Sequence, residues 1–235
     1  MRTAYVLLWF PAPTEILIFR EVENLRRFGL PIKVFTLYGE KSVSRSAEMR
    51  VVSGDVVRLG WPSLRRLAGR LAYWWRRKPD AVKHISGALR ELHWRHLKKN
   101  AESAWVLLVS FELTRRFEED AIERVHTPWA CGCATAVWAA SKLTGRPFSF
   151  TARAWDIYPQ DWLIRAKILD AVLVRTETAA NVRHLSIYTD GAFEKFHATY
   201  NGVPLRAERD SAVAMRAPRS EEHTSELQSR LHLVC

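Results

Sequence analysis

Three polar side chains that could bind a ligand, Arg153, Asp156 and Tyr158, follow directly after a short apolar segment. That segment, Phe148 to Thr151, predicts a buried strand, because Gly145 ends the helical stretch before it. An arginine guanidinium suits a phosphate or carboxylate, and an aspartate suits sugar hydroxyls. Ligands of open α/β sheets bind outside the carboxyl ends of the strands, which is where these residues fall. The alternative is a local Arg–Asp pair that holds the loop.

Two further places combine a predicted strand end with polar chemistry. Thr14 and Glu15 follow the first apolar run, at the start of a predicted helix whose free N–H groups could hold an anion. Plain capping by Thr14 explains the same pattern. No G-x-G-x-x-G is present, so the dinucleotide fingerprint is absent. His126 ends another predicted strand, although a lone histidine is more often structural than catalytic.

The elements that must position these residues alternate between strands and helices. Apolar runs, Gly and Pro predict an α/β fold, with a doubly wound, Rossmann-like parallel sheet flanked by helices. The predicted strands are 5–9, 31–37, a weaker one within 51–59, 121–126, 148–151, 171–174 and 198–200. The predicted helices are 14–29, 63–77, 80–99, 134–143 and one that Thr176 caps and that runs to Leu185. Periodicity does not decide between helix and strand for 101–117.

Nearly all of the excess positive charge lies in one segment. The chain has a formal net charge of +11, and residues 58–99 hold twelve Lys or Arg against two acidic residues, a net +10. With Trp74, Trp75 and Trp94 interleaved, this segment predicts contact with an anionic membrane. Single-stranded nucleic acid, or a solvated helical face with tryptophan in the core, are the alternatives. The predicted membrane-binding residues are Arg65, Arg66, Trp74, Trp75, Arg76, Arg77 and Lys78.

Other classes of site have little support in the sequence. The three cysteines, Cys131, Cys133 and Cys235, form neither a disulfide framework nor a zinc motif, and small buried thiols explain them. No metal site is predicted. No run of about 18 apolar residues occurs, so no transmembrane helix is expected.

Five segments, taken in chain order, resemble the N-terminal half of a bacterial family-four glycosyltransferase of GT-B architecture, of the exopolysaccharide or colanic-acid type. The resembling segments are Pro11, Thr14 and Glu15 in a P-x-x-[ST]-E loop; His126 and Trp129 at a strand end; Pro147 to Tyr158 (PFSFTARAWDIY); Ala171 to Glu177; and Asn201 to Val203. Each segment is short, but their common order is specific, and they cover about residues 3 to 205.

The resemblance implies an enzyme that moves a sugar from a nucleotide-sugar donor to a glycan or lipid-linked acceptor, with retention and without metal or other cofactor. Thr14 and Glu15 would form the cleft floor, and His126 and Arg153 would face the transfer site as catalytic residues. Asp156 would bind a hydroxyl or hold Arg153, and Tyr158 would belong to the same binding site. Such enzymes work in the cytoplasm, here peripherally at the inner face of the membrane, and no nucleic acid is expected.

The sequence departs from the family pattern at three positions. Pro128 stands in place of a second histidine, Arg153 in place of a frequent histidine, and Ile16 in place of a common threonine. The family's donor site, with its E-x7-E pattern, lies in a second Rossmann-like domain that is expected after Asn201-Gly202. The rival hypothesis is a non-catalytic basic α/β module that binds nucleic acid or anionic membrane.

The expected domain organisation is a Rossmann-like acceptor-side domain over residues 1–205, followed by a cut linker and tail over 206–235. Residues 219–235 closely resemble the in-frame translation of a widely used sequencing-library adapter, and we interpret them as a read-through artefact. A natural disordered tail is the alternative. On the first interpretation, the natural sequence after Pro218 is missing.

Overall fold

The computed structural model describes residues 2–39, 47–90, 97–158, 163–189 and 194–200. These residues belong to one compact unit, Met1–Tyr200. Trp94, the Asn201–Val203 segment and the predicted tail 206–235 lie outside the described residues, so the expectations about them stay predictions.

A seven-stranded sheet of parallel neighbours forms the centre of the described chain. Its strands are β1 (Thr3–Leu7), β2 (Ile32–Thr36), β3 (Val56–Arg58), β4 (Arg124–Thr127), β5 (Phe148–Ala152), β6 (Leu173–Thr176) and β7 (Phe196–Ala198). They lie in the order β3-β2-β1-β4-β5-β6-β7. The order reverses between β1 and β4, so the loops after these two strands leave the sheet in opposite directions and open a crevice. The predicted fold class is therefore confirmed.

Helices cover the sheet. In chain order they are α1 (Ile16–Arg27), α2 (Ala47–Ser53), α3 (Pro62–Arg77), α4 (Pro79–Arg90), α5 (Leu97–Glu119), α6 (Gly132–Thr144), α7 (Ala154–Ile157), α8 (Ile164–Asp170) and α9 (Ala179–Ser186). Short 3-10 turns occupy Pro13–Glu15 and Ile187–Thr189. No helix within the described ranges is long and apolar enough to cross a membrane.

Two hydrophobic cores lie on opposite faces of the sheet. The smaller core packs Phe19 and Val22 of α1 against Tyr5 and Leu7 of β1. The larger core includes the residues of β1 that alternate with these, such as Val6, together with side chains from α3 to α6, α8 and α9. Alternate residues of a strand point to opposite faces, so one short strand serves both cores.

Several local predictions need correction. Thr14 does not cap the first helix: it lies in the 3-10 turn, and the N-cap position of α1 has no side-chain hydrogen bond. Thr176 belongs to β6, and it is Thr178 whose hydroxyl accepts the N–H of Asn181 to cap α9. The undecided segment 101–117 lies inside the helix α5.

Candidate functional site

A cleft of about 680 Å³ opens at the point where the strand order reverses. The loops after β1, β4 and β5 and the first turn of α1 form its walls. Its lining residues are Leu8, Thr14, Glu15, Ile16, Leu17, Ile18, Trp129, Cys131, Arg153 and Trp155. The lining is mostly apolar, with a few polar groups, which is the usual composition of a site for an organic ligand.

Thr14 and Glu15 reach the cleft through the turn that precedes α1. Pro13 begins this 3-10 turn, and the N–H of Glu15 donates to the Ala12 carbonyl at 2.9 Å. Glu15 then occupies the N-cap position of α1, where a carboxylate complements the helix dipole. The turn leaves Thr14 exposed and Glu15 half-buried, so both can contact a ligand.

Arg153 forms the opposite wall, and its guanidinium is held on several sides. Its Nη1 donates to Glu177 Oε1, and its Nε donates to the Pro128 carbonyl at 3.4 Å. Its Cζ lies 5.3 Å from the ring centre of Trp129, a cation–π contact. Glu21 Oε2 lies 3.7 Å from Nη2.

These contacts limit what Arg153 can do. Its side chain is only 8% exposed, and the carboxylates of Glu177 and Glu21 offset its charge. Glu21 also lies 3.5 Å from Arg175 Nη1, so two arginines and two glutamates alternate in one cluster. Because carboxylates already bind Arg153, its main role is to hold the wall of the cleft in place, and it attracts a phosphate only weakly.

Asp156 is buried beside the cleft and does not line it. Its Oδ1 accepts the N–H of Arg153 at 2.8 Å, and its Oδ2 accepts the N–H of Ala130 at 2.5 Å. Burial raises the pKa of Asp156 to about 6, although the two N–H donors and the charges of Lys167 and Arg153 oppose that rise. Both oxygens accept main-chain N–H groups, so Asp156 holds the backbone of Arg153 and of Ala130. Its predicted contact with a ligand hydroxyl stays a prediction.

His126 lies within the sheet and is not among the residues that line the cleft. Its Nδ1 is 2.8 Å from the Ser149 hydroxyl, and its Nε2 is 3.4 Å from that of Thr151. Its ring centre lies 5.3 Å from that of Tyr5 on the neighbouring strand. Burial, with smaller effects from Arg175 and Arg153, lowers the pKa of His126 to about 4. The imidazole is therefore neutral at pH 7 and is held in the sheet.

Tyr158 also lies outside the cleft lining. Its hydroxyl donates to Asn181 Oδ1 at 3.0 Å, and its ring packs 4.7 Å from His184. Tyr158 therefore joins α7 to α9. Of the six residues predicted to bind or act on substrate, the structure brings Thr14, Glu15 and Arg153 together around one cleft, with His126, Asp156 and Tyr158 outside its lining.

The basic segment divides into an inner and an outer face. Trp74 is only 2% exposed and belongs to the larger core, so the prediction that it contacts a membrane is wrong. Arg66 lies 3.1 Å from the buried carboxylate of Glu112, and Arg77 lies 3.3 Å from Glu118. Three of the seven predicted membrane residues, Arg66, Trp74 and Arg77, therefore have structural contacts within the protein.

Other residues of the basic segment are exposed to solvent. Arg65, Arg76 and Lys78 are exposed, and so is Trp75, which lines a shallow groove with Val82 of α4. No salt bridge joins these three cations to a carboxylate within the part of the chain that the structure describes. Arg65, Trp75 and Arg76 of α3, with Lys78 directly after it, form an exposed surface that we call the basic face.

Sequence reasoning missed several residues of the site. Cys131, Trp129 and Trp155 line the cleft, and Glu177 and Glu21 hold Arg153. Trp129 and Trp155 had a usable signal, because each follows a predicted strand by a few residues. Glu177 belongs to one of the resembling segments, but no sequence signal indicated that Glu177 or Glu21 would pair with Arg153, since that pairing depends on how α1 and β6 approach β5.

Comparisons with known proteins identify no relative. No protein-family model matches the chain, and a search of curated proteins finds no match. Within the described ranges, no group of three or more His, Cys, Asp or Glu side chains is arranged to hold a metal ion. The fold and the cleft therefore carry the functional argument.

Proposed function

We propose that this chain supplies the acceptor-binding side of a GT-B glycosyltransferase that moves a sugar from a nucleotide-sugar to a glycan or lipid-linked acceptor. The observation that carries the proposal is the cleft at the β1/β4 reversal, which Thr14 and Glu15 face from one side and Arg153 from the other. Three of the resembling segments contribute residues to the lining of this cleft, which supports a common use: Thr14 and Glu15, then Trp129, then Arg153 and Trp155.

The residues of the cleft suit an acceptor sugar. The Thr14 hydroxyl and the Glu15 carboxylate bind and orient sugar hydroxyls, since a carboxylate accepts hydrogen bonds from them. The apolar wall from Ile16 to Ile18 excludes water from the region of transfer. Arg153 acts as a positioning residue that fixes Trp129 and the loop after β4.

Neither His126 nor Asp156 is assigned a proton-transfer step. The His126 ring is held by two hydroxyls inside the sheet, and both Asp156 oxygens accept main-chain N–H groups. Catalysis in this half of the enzyme consists of binding the acceptor and setting its orientation.

A peripheral position at an anionic membrane is the second part of the proposal. The basic face presents three cations and Trp75 to solvent, which is the composition of an interfacial helix. An acceptor linked to a lipid would lie at that surface. The arrangement supports membrane contact by α3, with Trp74 and Glu112 holding the helix to the core.

The test is saccharide binding measured by saturation-transfer NMR on the 235-residue chain, with one- to six-sugar fragments of bacterial exopolysaccharides. We expect binding to be lost in the double variant Thr14→Val/Glu15→Gln and kept in Arg27→Gln, an exposed position at the far end of α1. Absence of saccharide binding by the unaltered chain, or equal binding by the cleft variant, would overturn the proposal. Salt-sensitive binding of unspecific DNA without saccharide binding would favour the basic-module rival.

A further inference from the structure

An aromatic side chain follows the carboxyl end of each of five adjacent strands. Each ring lies two or three residues after the last residue of its strand. In the spatial order of the sheet, the rings are Trp61 after β3, Tyr38 after β2, Trp9 after β1, Trp129 after β4 and Trp155 after β5. All five therefore lie along the same edge of the sheet as the cleft.

On the β1–β3 side the rings form a stack. The ring centres of Trp9 and Tyr38 are 4.4 Å apart, and their planes differ by 11°. Trp105 of α5 continues the stack at 5.6 Å and 13° from Tyr38. Trp61 then packs against Trp105 at 5.1 Å with a 53° tilt.

On the β4–β5 side the rings belong to the cleft itself. Trp129 and Trp155 line it, and the Arg153 guanidinium supports Trp129 from 5.3 Å. Leu8, which also lines the cleft, is the chain neighbour of Trp9. The stack and the cleft therefore begin at consecutive residues of the loop after β1.

The ends of this row are unusually exposed for tryptophan. Trp61 is 75% exposed and Trp155 is 82% exposed. Leaving large apolar rings in water is unfavourable, and tryptophan held rigidly at a surface is characteristic of recognition sites. The stack behind Trp61 limits its movement, so little side-chain entropy would be lost on binding.

We propose that these rings form one track that binds a linear oligosaccharide, with the end of the oligosaccharide in the cleft. The C–H face of a pyranose ring is attracted to the negative face of an aromatic ring, and its hydroxyls stay free for water or polar groups. The exposed rings at the two ends, Trp61 and Trp155, stack on the sugars. Trp9 and Trp105 already stack on Tyr38, so these three rings form the rigid base of the track. Four strand spacings span about 19 Å, which is the length of about four sugar residues. The inference rests on the proposed function, since it makes the oligosaccharide the acceptor.

Charge along the track favours a neutral glycan over an anionic ligand. Glu15 lines the cleft, and Glu102 lies against the start of α6, where a Cβ on Gly132 would come within 2.6 Å of its Oε1. Burial raises the pKa of Glu102. Burial, with a smaller effect from the nearby charge of Glu102, raises the pKa of Tyr38 to about 12. Carboxylates accept hydrogen bonds from sugar hydroxyls and repel phosphate groups.

The experiment measures the dissociation constants of the same fragments, sorted by length from one to six sugars, for the 235-residue chain. Affinity should rise with length up to about four sugars and then level off. Trp61→Ala should weaken binding of four-sugar fragments about tenfold and leave one-sugar binding unchanged. Trp61→Phe, which keeps a ring on Trp105, should restore most of the loss.

Phe28→Ala is the matched control. Phe28 is 83% exposed but lies just after α1, at the amino edge of the sheet. Its removal should leave affinity at every length unchanged, and thermal unfolding of each variant checks the fold. Affinity that does not depend on length, or a Trp61→Ala variant that matches the unaltered chain, would overturn the track and leave the cleft intact. Absence of binding at any length would instead overturn the proposed function, and the track with it.

A membrane could use the same tryptophan. If Trp61→Ala lost binding to phosphatidylserine vesicles and kept its affinity for four-sugar fragments, the track would be a lipid contact and the proposal would be wrong.

Discussion

Asp156 holds Ala130 across 26 positions of the chain, through a 2.5 Å hydrogen bond from the Ala130 N–H to its Oδ2. The Ala130 carbonyl in turn accepts a hydrogen bond of 2.6 Å from the buried amine of Lys167. The N–H and the carbonyl of Ala130 are thus bound by side chains from two different helices, Asp156 of α7 and Lys167 of α8. Because Ala130 lies between Trp129 and Cys131, this clamp sets two walls of the cleft.

Removing the Asp156 carboxylate should destabilise the protein and loosen the cleft wall. Asp156→Ala leaves the N–H groups of Ala130 and Arg153 buried without acceptors, which should lower the free energy of unfolding by about 3 kcal/mol in urea titrations. Asp156→Asn keeps one acceptor and should lose about half as much.

Amide hydrogen exchange separates positioning from general destabilisation. The Ala130 amide should exchange faster in both variants, even where the core amides of β1 stay protected. Asp55→Asn, at an exposed position, is the control and should change neither quantity. Unchanged protection of Ala130 in Asp156→Ala would refute the clamp.

The pH dependence of stability should combine two opposite contributions. The pKa of His126 falls from 6.5 to about 4 on folding, so protonation of the unfolded chain removes stability as pH falls from 6.5 to 4. The pKa of Asp156 rises from 3.8 to about 6, so its contribution is fully present below 3.8 and is lost as pH rises through 6. Each amounts to roughly 3 kcal/mol at about 1.4 kcal/mol per pKa unit.

Replacing one of the two groups should leave only the pH dependence that the other group produces. In His126→Asn, the free energy of unfolding should decrease from pH 4 to pH 6. In Asp156→Asn, it should increase from pH 4 to pH 6.5. Chemical denaturation at half-unit pH steps measures both slopes, and slopes of the same sign in the two variants would contradict the assignment.

The two threonines at helix starts should respond differently to removal of their hydroxyls. Thr178 accepts the N–H of Asn181 at 3.2 Å, so Thr178→Ala should cost about 1 kcal/mol of stability. Thr14 makes no cap bond at the start of α1, so Thr14→Ala should cost less than about 0.5 kcal/mol. Thermal unfolding of the pair tests this, and equal losses would show that Thr14 does cap α1.

The basic face should carry the membrane affinity of the chain. Charge reversal in Arg65→Glu/Arg76→Glu should reduce co-sedimentation with phosphatidylserine vesicles at least tenfold, at about 1 kcal/mol for each basic residue. Reversal at Arg27 and Arg124, two exposed cations elsewhere, should have a much smaller effect. Equal binding of the unaltered chain to neutral and anionic vesicles would rule out the electrostatic contribution.

Much of the fold can be predicted from local patterns. The end of α6 is an example, because Gly145 adopts the left-handed conformation, with φ of 72°, in which glycine avoids the strain of a side chain. The buried strand after it was predicted at 148–151 and occurs as Phe148–Ala152. Such signals are local, so they need no knowledge of neighbouring elements.

The cleft could be predicted only in part. The rule that ligands bind at the carboxyl ends of parallel strands brought Thr14, Glu15 and Arg153 to one edge. The rule says nothing about the direction in which a side chain points. His126 also lies near a strand end, but its ring contacts Ser149 on the neighbouring strand and does not reach the cleft. The partners of Arg153 also come from distant elements.

Trp74 and Trp75 show most clearly what the sequence predicts by itself and what only the packing of the helix decides. The alternation of apolar and basic residues from 62 to 77 is enough to predict an amphipathic helix. It does not say which side of that helix meets the protein, because both faces of α3 carry tryptophan and arginine. Packing against α5 made that choice: Glu112 binds Arg66 and Arg70, which turns Trp74 into the core and leaves Trp75 52% exposed. A buried carboxylate needs cationic partners, and supplying them set the rotation of the helix.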